Sequence, residues 1–284
     1  MNGPMTPTSA ELEDLTSCVA SVLEGGALAT DGRPVAVVPR SIELQGVVLP
    51  LLEWCRQREP QTPRGIVGLA APCGAGKTLL LSWLAATSHA LGWNEFGFVS
   101  LDGYHLPDAE LRTLQGVDPS GKIVSLRDLK GTPATFDGEG FLEDLRRLKS
   151  NRDERWLPAY NRELHEAVAA TLCISSEVKW VFVEGNFLFL DEIPWREIRE
   201  LLDRKIYLDA SDSVLKQRLR ARHAAAGRGA AWIKAHFRRT DGPNILLNRS
   251  HAHFAEECYR WDVNGFLRKA QTGSRHSGNG RSGS

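Results

Sequence analysis

An eight-residue segment rich in glycine lies between two apolar stretches and restricts the choice of fold. It reads Ala71-Pro72-Cys73-Gly74-Ala75-Gly76-Lys77-Thr78. An apolar run, residues 65–70, precedes it, and an apolar helical pattern, residues 78–91, follows it. A glycine-rich turn between a buried strand and a helix is typical of the Walker A phosphate-binding loop. The segment therefore predicts an α/β domain in which this loop follows a strand of a parallel sheet.

The residue types within the loop match what phosphate binding requires. Gly74 and Gly76 allow backbone N–H groups to approach phosphates closely. Lys77 is expected to reach the β- and γ-phosphates, and Thr78 to offer its hydroxyl to Mg²⁺ at a helix N-terminus that favours anions. Ala71 stands where the pattern usually has its first glycine, and it is still small. We predict that residues 71–78 bind the nucleotide, with ATP and Mg²⁺ as cofactors.

Three further apolar runs predict buried strands, and each stops at an acidic residue. The runs cover residues 96–101, 178–183 and 205–208, and the acids are Asp102, Glu184 and Asp209. Helical patterns lie between the runs, so the fold class predicted is a three-layer α/β/α P-loop domain with a central, mostly parallel sheet. In such folds the active site lies beyond the carboxyl ends of the strands.

Two of the strand-end acids are candidates for chemistry. Asp102 would face the γ-phosphate and could accept the proton of an attacking hydroxyl, although a turn or helix-cap aspartate is the structural alternative. Glu184 follows a strand in the Walker B arrangement and could hold Mg²⁺ directly or through water, with a solvated strand-end acid as the alternative. Asp209 precedes a predicted helix cap at Ser211, so we interpret it as structural.

Arg218 and Arg222 are four residues apart on one predicted helix and share a face. In a kinase such arginines close over the phosphates and neutralise the charge of transfer; in an unrelated protein they would form a solvated helix face. We predict that both are catalytic, together with Lys77 and Asp102.

The histidines and cysteines carry no pattern of a metal site. Histidines 223, 236, 251 and 253 have no spacing that suggests a metal, and the five cysteines are scattered, which argues against a disulfide framework or a zinc site. Asp137 precedes an amphipathic helix and is predicted to be its N-cap rather than a catalyst.

Four segments occur in an order that identifies a family by resemblance. They are the loop at 71–78, Ser100-Leu101-Asp102-Gly103-Tyr104-His105, Pro158-Ala159-Tyr160-Asn161-Arg162 with His165, and Val183-Glu184-Gly185-Asn186. This set resembles the phosphoribulokinase, uridine kinase and pantothenate kinase family of P-loop kinases. Residues 130–137 and 241–244 resemble its uridine kinase-like branch, which is also described as fructose-transport-kinase-like. The resemblance covers roughly residues 45–265.

The resemblance implies that Asp102 is the base and that the acceptor pocket is built from an insertion at about residues 103–177. The substrate-binding residues that it implies are Asp102, Tyr104, His105, Tyr160, Arg162 and His165. It also implies that Arg218 and Arg222 belong to a lid at about residues 211–240. The chain departs from the family at Ala71 and at Asn161, which stands where an acid is usual and cannot ionise.

Composition and length complete the predicted organisation. We expect an N-terminal helical extension over residues 1–44, a kinase domain over residues 45–270 and a disordered tail over residues 271–284. Lys plus Arg equals Asp plus Glu, 35 against 35, which argues against a nucleic-acid or membrane-surface partner. The sequence has no bilayer-length apolar run and no secretory pattern, so we expect a cytoplasmic protein. The oligomeric state is left open, with a homodimer as one option.

The function predicted is that of an ATP-dependent kinase, a phosphotransferase that acts on a hydroxyl of a small molecule. Nucleosides, sugars, glycerate and pantothenate-like molecules all offer such a hydroxyl, and the sequence does not choose among them. One alternative is a P-loop ATPase used as a switch, although the guanine-specifying Asn-Lys-x-Asp motif is absent from the sequence. The other is a catalytically weak nucleotide-binding regulator, for which Ala71 and Asn161 are the only support.

Overall fold

The structure, a computed structural model, describes residues 7–25, 37–161, 163–164 and 166–270. Its strands are β1 Gly65–Ala70, β2 Phe96–Ser100, β3 Gln115–Val117, β4 Ile123–Ser125, β5 Arg155–Asn161, β6 Glu166–Ile174, β7 Trp180–Gly185, β8 Arg204–Asp209, β9 Glu257–Trp261 and β10 Leu267–Lys269. Its α-helices are α1 Ser9–Glu24, α2 Ser41–Glu43, α3 Leu49–Arg56, α4 Lys77–Ala90, α5 Asp108–Thr113, α6 Gly138–Ser150, α7 Trp195–Leu201, α8 Asp212–Ala225, α9 Ala230–His236 and α10 Gly242–Ser250.

Shorter helical turns join these elements. Two segments are π-helical, Leu44–Val48 and Phe237–Asp241. Four are 3₁₀-helical: Leu101–Tyr104, Leu126–Leu129, Pro133–Thr135 and Ala252–Phe254. Within the described ranges, no helix has the length and apolar content needed to cross a bilayer.

The central sheet has six strands in the order β10-β9-β8-β1-β7-β2. Within this sheet, β2, β7, β1, β8 and β9 are parallel to one another, and β10 is antiparallel to β9. Every residue of β1 and β7 is buried, as expected of strands covered on both faces. The predicted mostly parallel sheet is therefore confirmed, and its four predicted strands lie close to β1, β2, β7 and β8. The sequence did not predict β9 and β10.

Helices cover both faces of the sheet and give the predicted three layers. On one face, α4 packs with α1, α3 and α8 around a core that includes Leu80, Leu84 and Leu215. On the other face, α6 and α7 pack around Phe141 and Ile198. Asp137 forms the predicted N-cap of α6, because its Oδ1 accepts a hydrogen bond from the Gly140 N–H at 2.8 Å.

The N-terminal segment packs against the same core. Leu12, Val19 and Leu23 of α1 belong to the cluster that contains the apolar side chains of α4. A continuous helical run from residue 41 to 56 crosses the boundary predicted after residue 44. The described part of the extension is thus built onto the α/β layers rather than set apart from them. The predicted tail, residues 271–284, lies outside the described residues.

The long connection from β2 to β7 contains two hairpins that the sequence did not predict. They are β3–β4 and β5–β6, and β5 and β6 contain mostly partly exposed side chains rather than one apolar run. The β5–β6 hairpin packs closely on the 3₁₀-helix Leu101–Tyr104, which follows β2. A Cβ built on Gly103 would lie only 2.5 Å from the carbonyl oxygen of Pro158 in β5. This close approach fixes the hairpin beside the carboxyl end of β2.

We expect Gly103→Ala to lower the free energy of unfolding by about 1–3 kcal/mol, because backbone must move to admit the methyl group. The matched control is Gly46→Ala, since nothing lies within 4 Å of a Cβ at that helical position. Urea unfolding of both variants checks the prediction. If the two variants were equally stable, Gly103 would not be required for packing of the hairpin.

Candidate active site

A cleft of about 1580 Å³ opens beyond the carboxyl ends of β1, β2 and β7. Residues from the glycine-rich loop, the strand ends, the long insertion and α8–α10 line it. Most of the predicted site residues are among them: Cys73, Gly74, Gly76, Lys77, Thr78, Asp102, His105, Tyr160, Glu184, Arg218 and Arg222. The structure therefore brings the predicted nucleotide and acceptor residues to one cavity.

Two glycines give the loop its shape. Gly74 and Gly76 have φ angles of +81° and +93°, which side-chain-bearing residues rarely adopt. Space is also limited, since a Cβ on Gly76 would lie 3.2 Å from the Trp261 ring. Gly76 caps α4, which begins at Lys77. The unpaired N–H groups of that first turn make the loop a favourable place for anions.

Trp261 of β9 supports the glycine-rich loop through a hydrogen bond and through ring packing. Its indole N–H donates a hydrogen bond to the Ala75 carbonyl at 2.6 Å, and its ring packs edge-on against Trp83 of α4. The Arg218 guanidinium lies 4.5 Å from the same ring and donates to the Gly74 carbonyl at 3.4 Å. The loop is thus held by a tryptophan distant in sequence and by a predicted lid arginine. No sequence signal pointed to Trp261.

The remaining loop residues face the protein interior. Ala71, Pro72 and Ala75 are buried and do not line the cleft, whereas Cys73 is buried at its edge. Ala71 has no exposed surface, so a small residue is accommodated where the pattern usually has glycine. These residues can contribute to phosphate binding only through the backbone that they position.

A hydrogen-bonded group connects the loop with the ends of β2 and β7. The Glu184 Oε1 accepts hydrogen bonds from the hydroxyls of Thr78, at 3.0 Å, and Ser100, at 2.7 Å. Ser100 is paired with Glu184 in the register of β2 and β7, which places their side chains together. Lys77 donates from Nζ to the Asn186 Oδ1. Sequence reasoning gave Ser100 and Asn186 no role, although both lie within the matched segments.

The environment of Glu184 is suited to a hard cation. Burial raises the pKa of its carboxyl, the charge of Lys77 opposes that shift, and the charge of Asp102 adds to it. The ionised carboxylate, only 2% exposed, is therefore incompletely compensated by the protein. Mg²⁺ prefers oxygen ligands such as this carboxylate and the Thr78 hydroxyl. The two residues predicted to hold the metal thus offer a fitting donor set.

We expect Glu184→Gln to stabilise the metal-free protein by on the order of 1 kcal/mol at neutral pH. A carboxyl whose pKa is raised by folding destabilises the folded state once the pH exceeds its ordinary pKa, and an amide avoids that cost. The amide oxygen can still accept from Ser100 and Thr78. Thermal unfolding in EDTA checks the change, with the exposed Glu177→Gln as the control. A lower stability for Glu184→Gln than for the control would contradict the assigned burial cost.

Asp102 lines the part of the cleft that is predicted to bind the acceptor. It lies on the 3₁₀-helix after β2, where its N–H donates to the Ser100 hydroxyl at 3.2 Å. Its Oδ1 lies 4.0 Å from the Nε2 of His105, and one third of its side chain is exposed. The His105 ring stacks on Phe136 at 3.9 Å and meets Tyr160 edge-on at 5.6 Å. Asp102 is therefore a partly exposed carboxylate beside a wall of rings.

The predicted role of Tyr104 in substrate binding requires correction. Tyr104 is 5% exposed, packs against Phe141 of α6 and donates its hydroxyl hydrogen to Asp144 at 3.0 Å. The 3₁₀ turn that directs Asp102 and His105 to the cleft directs Tyr104 into the core instead. Arg162 and His165, the other two residues implied for the acceptor site, lie outside the described residues.

A basic pair to which the sequence analysis gave no role lines the same cleft as Asp102. Lys130 and Arg127 contact the Asp108 carboxylate at 2.6 Å and 3.1 Å, and all three side chains line the cleft. The hydrogen bond from Lys130 lowers the pKa of Asp108. Lys130 also lies 6.0 Å from the centre of the Tyr160 ring. Positively charged side chains are thus present at the predicted acceptor end of the cleft as well as at the phosphate loop.

Several known proteins are similar to this chain in sequence or in fold. A protein of Escherichia coli named "Uncharacterized protein YggC" is 31% identical over 236 residues, 81% of this chain and 94% of that protein. A Schizosaccharomyces pombe protein named "Putative uridine kinase" is 31% identical over 190 residues, 64% of this chain and 76% of that protein. No protein-family model matches the chain.

A solved structure from Silicibacter sp., titled as a "putative fructose transport system kinase", has a TM-score of 0.61 and 28% identity. The match covers 72% of this chain and 94% of the Silicibacter chain. Fold, loop and strand-end acids together define a P-loop kinase. Within that class, the chain belongs to the uridine kinase-like family.

Proposed function

We propose that the protein transfers the γ-phosphate of ATP–Mg²⁺ to a hydroxyl group of a small metabolite, with Asp102 as the base. The observation that supports this most is the shared cleft, in which Asp102 and the glycine-rich loop meet. Ser100 links the two sides, because its hydroxyl donates to Glu184 and accepts from the Asp102 N–H. A carboxylate beside a phosphate loop is the arrangement that direct transfer to an alcohol requires.

On the nucleotide side, the loop backbone and Lys77 would bind the phosphates. Thr78 and Glu184 would hold the magnesium ion, which draws charge from the transferring phosphoryl group. Arg218 and Arg222, on the cleft side of α8, would stabilise the charge that develops in transfer. We assign both arginines to a lid over about residues 211–240, because several residues of this stretch, from Arg218 to Thr240, line the cleft.

On the acceptor side, the hydroxyl of the metabolite would lie within reach of Asp102. Its proton passes to the Asp102 carboxylate while its oxygen forms a bond to the γ-phosphorus. The bond between that phosphorus and the oxygen bridging to the β-phosphate breaks, and ADP leaves with the electron pair. His105 and Tyr160, from the insertion over residues 103–177, would orient the acceptor through their rings and polar groups.

The names of relatives support a hydroxyl-bearing metabolite as the acceptor. Their names include a uridine kinase and pantothenate kinases, the latter 24% identical or less over 175 residues of this chain. Nucleosides, sugars, glycerate and pantothenate-like molecules therefore form the panel to test. The equal number of basic and acidic residues supports a small molecule rather than a nucleic acid as the partner.

The test is ADP release in Mg²⁺ against that panel, with an acceptor-free reaction beside it. The proposal expects ADP that depends on one acceptor and a phosphorylated product of matching mass. Equal ADP release without any acceptor would overturn the proposal in favour of an ATPase. ATP binding without turnover on any hydroxyl compound would favour a nucleotide-binding regulator.

A further inference from the structure

Two histidines of the predicted lid and the aspartate that follows it meet at the edge of the cleft. His223, His236 and Asp241 each offer a ligand atom, and these atoms lie within 4.8 Å of one another. The His223 Nε2 is 2.9 Å from the Asp241 Oδ2, and the His236 Nε2 is 3.9 Å from the Asp241 Oδ1. The two imidazoles thus face different oxygens of one carboxylate.

Local helix geometry creates this cluster. His236 ends α9, and Asp241 ends the π-helix Phe237–Asp241. In an α-helix, residues five apart point about 140° away from each other, given 3.6 residues per turn. The wider π turn, which closes i to i+5 hydrogen bonds, brings them to one side. Single π-helical turns often occur at functional sites, and this one places two potential metal ligands on the same side of the helix.

The cluster is also held in place by its surroundings. The Trp232 ring stacks on His236, with centroids 4.5 Å apart and planes 11° from parallel, and meets His223 edge-on at 5.4 Å. Asp241 is 4% exposed, and the Cys73 thiol lies 3.8 Å from its Oδ1. The two imidazoles and the carboxylate are therefore fixed by packing rather than spread over a mobile surface.

The donor atoms of the cluster are of the kinds that bind transition-metal ions. A neutral imidazole has a lone pair available for a metal. Asp241, which is 4% exposed, would supply a carboxylate oxygen to the same ion.

We propose that His223, His236 and Asp241 form a binding site for a zinc-class transition-metal ion, separate from the magnesium site at Thr78 and Glu184. Imidazole nitrogen is a preferred ligand of Zn²⁺ and a poor one for Mg²⁺, so the donor set distinguishes the two ions. Three protein ligands leave a fourth position open on the cleft side, since all three residues line the cleft.

The location of the site connects it with the phosphate loop. Asp241 contacts Cys73 of the loop, while His223 lies on α8, directly after Arg222. A metal held by these ligands would tie the end of α8 and the π-helix to the loop in one arrangement. We therefore expect metal binding to change nucleotide affinity, although the site itself is proposed from its donor atoms and does not depend on kinase activity.

The test is titration of the EDTA-treated full-length protein with Co²⁺ in excess Mg²⁺, followed by displacement with Zn²⁺. Visible absorption bands of low-coordinate cobalt, saturating at one ion per chain and abolished by Zn²⁺, are expected for the wild type. His236→Gln is expected to weaken binding by roughly 10–100-fold, the range typical of a disturbed metal site. Asp241→Asn tests the carboxylate in the same way.

The matched control is His253→Gln, because His253 is exposed on another turn and is not one of the three ligands. It should bind Co²⁺ as the wild type does. Because Asp241 is buried, Asp241→Asn could misfold, and circular dichroism of each variant detects this. If Asp241→Asn is misfolded, the test rests on His236→Gln alone. Wild-type binding no tighter than that of His236→Gln would overturn the site and leave the cluster as a metal-free hydrogen-bonded contact.

Discussion

Replacing Asp102 with asparagine is expected to lower kcat with the preferred acceptor by about 10²–10⁴-fold, the range for loss of a general base. The asparagine side chain has the size of aspartate, but it cannot take up the proton of the attacking hydroxyl group. ATP affinity should change by only a few-fold, because the contacts proposed for ATP belong to the loop, Lys77 and Glu184. Loss of the Asp102 charge should also ease ionisation of Glu184, since that charge raises the Glu184 pKa.

Steady-state ADP formation and calorimetric ATP binding measure the two effects separately. The control is Asp137→Asn, because asparagine caps a helix as well as aspartate does and Asp137 caps α6 away from the reaction. The control should retain wild-type turnover and stability. Full activity of Asp102→Asn at every pH tested would remove Asp102 from the mechanism and point to substrate-assisted or water-mediated proton removal.

Replacing Lys77 with alanine is expected to lower kcat/KM for ATP by about 10²–10³-fold, the scale of losing one preorganised electrostatic contact. Two physical effects act together. The ammonium group would no longer reach the phosphates, and the charge that lowers the pKa of Glu184 would be lost. Glu184 would then be harder to ionise, so Mg²⁺ binding should weaken as well.

Lys122→Ala is the matched control, since Lys122 is exposed on the β3–β4 turn and does not line the cleft. Fluorescent-nucleotide binding with and without Mg²⁺ separates the phosphate contact from the effect on the metal. A Lys77→Ala variant that binds ATP–Mg²⁺ like the control and turns over normally would refute the assignment of the loop as the phosphate site.

The fold was largely predictable because its central elements carry local signals. β1 and β7 are buried at every position and therefore appear as unbroken apolar runs. The glycine-rich loop marks the turn between β1 and α4. The parallel strands β2 and β7 end at the same edge of the sheet as β1, so Asp102 and Glu184 lie close to the loop. These features depend on short stretches of sequence, which is why residue patterns were sufficient.

The features that were missed depend on contacts between distant parts of the chain. β9, next to the edge strand β10, has the sequence Glu257-Cys258-Tyr259-Arg260-Trp261, in which charged residues interrupt the apolar ones. Tyr104 lies in a segment that resembles an acceptor site, but the turn directs its side chain into the core. The His223, His236 and Asp241 cluster appears only when a π-helix places two of its members together. No periodic pattern encodes any of these.

The hydrogen bond from Trp261 to the Ala75 carbonyl has a bearing on how the chain is made. The two residues are 186 positions apart, so the support of the phosphate loop leaves the ribosome long after the loop itself. A nascent chain that ends after α8 would contain the whole loop, Asp102 and Glu184 but would lack the Trp261 indole that supports the loop. Nucleotide binding would then begin only after β9 has been synthesised, and ATP would stabilise chains that contain β9 in preference to chains truncated before it.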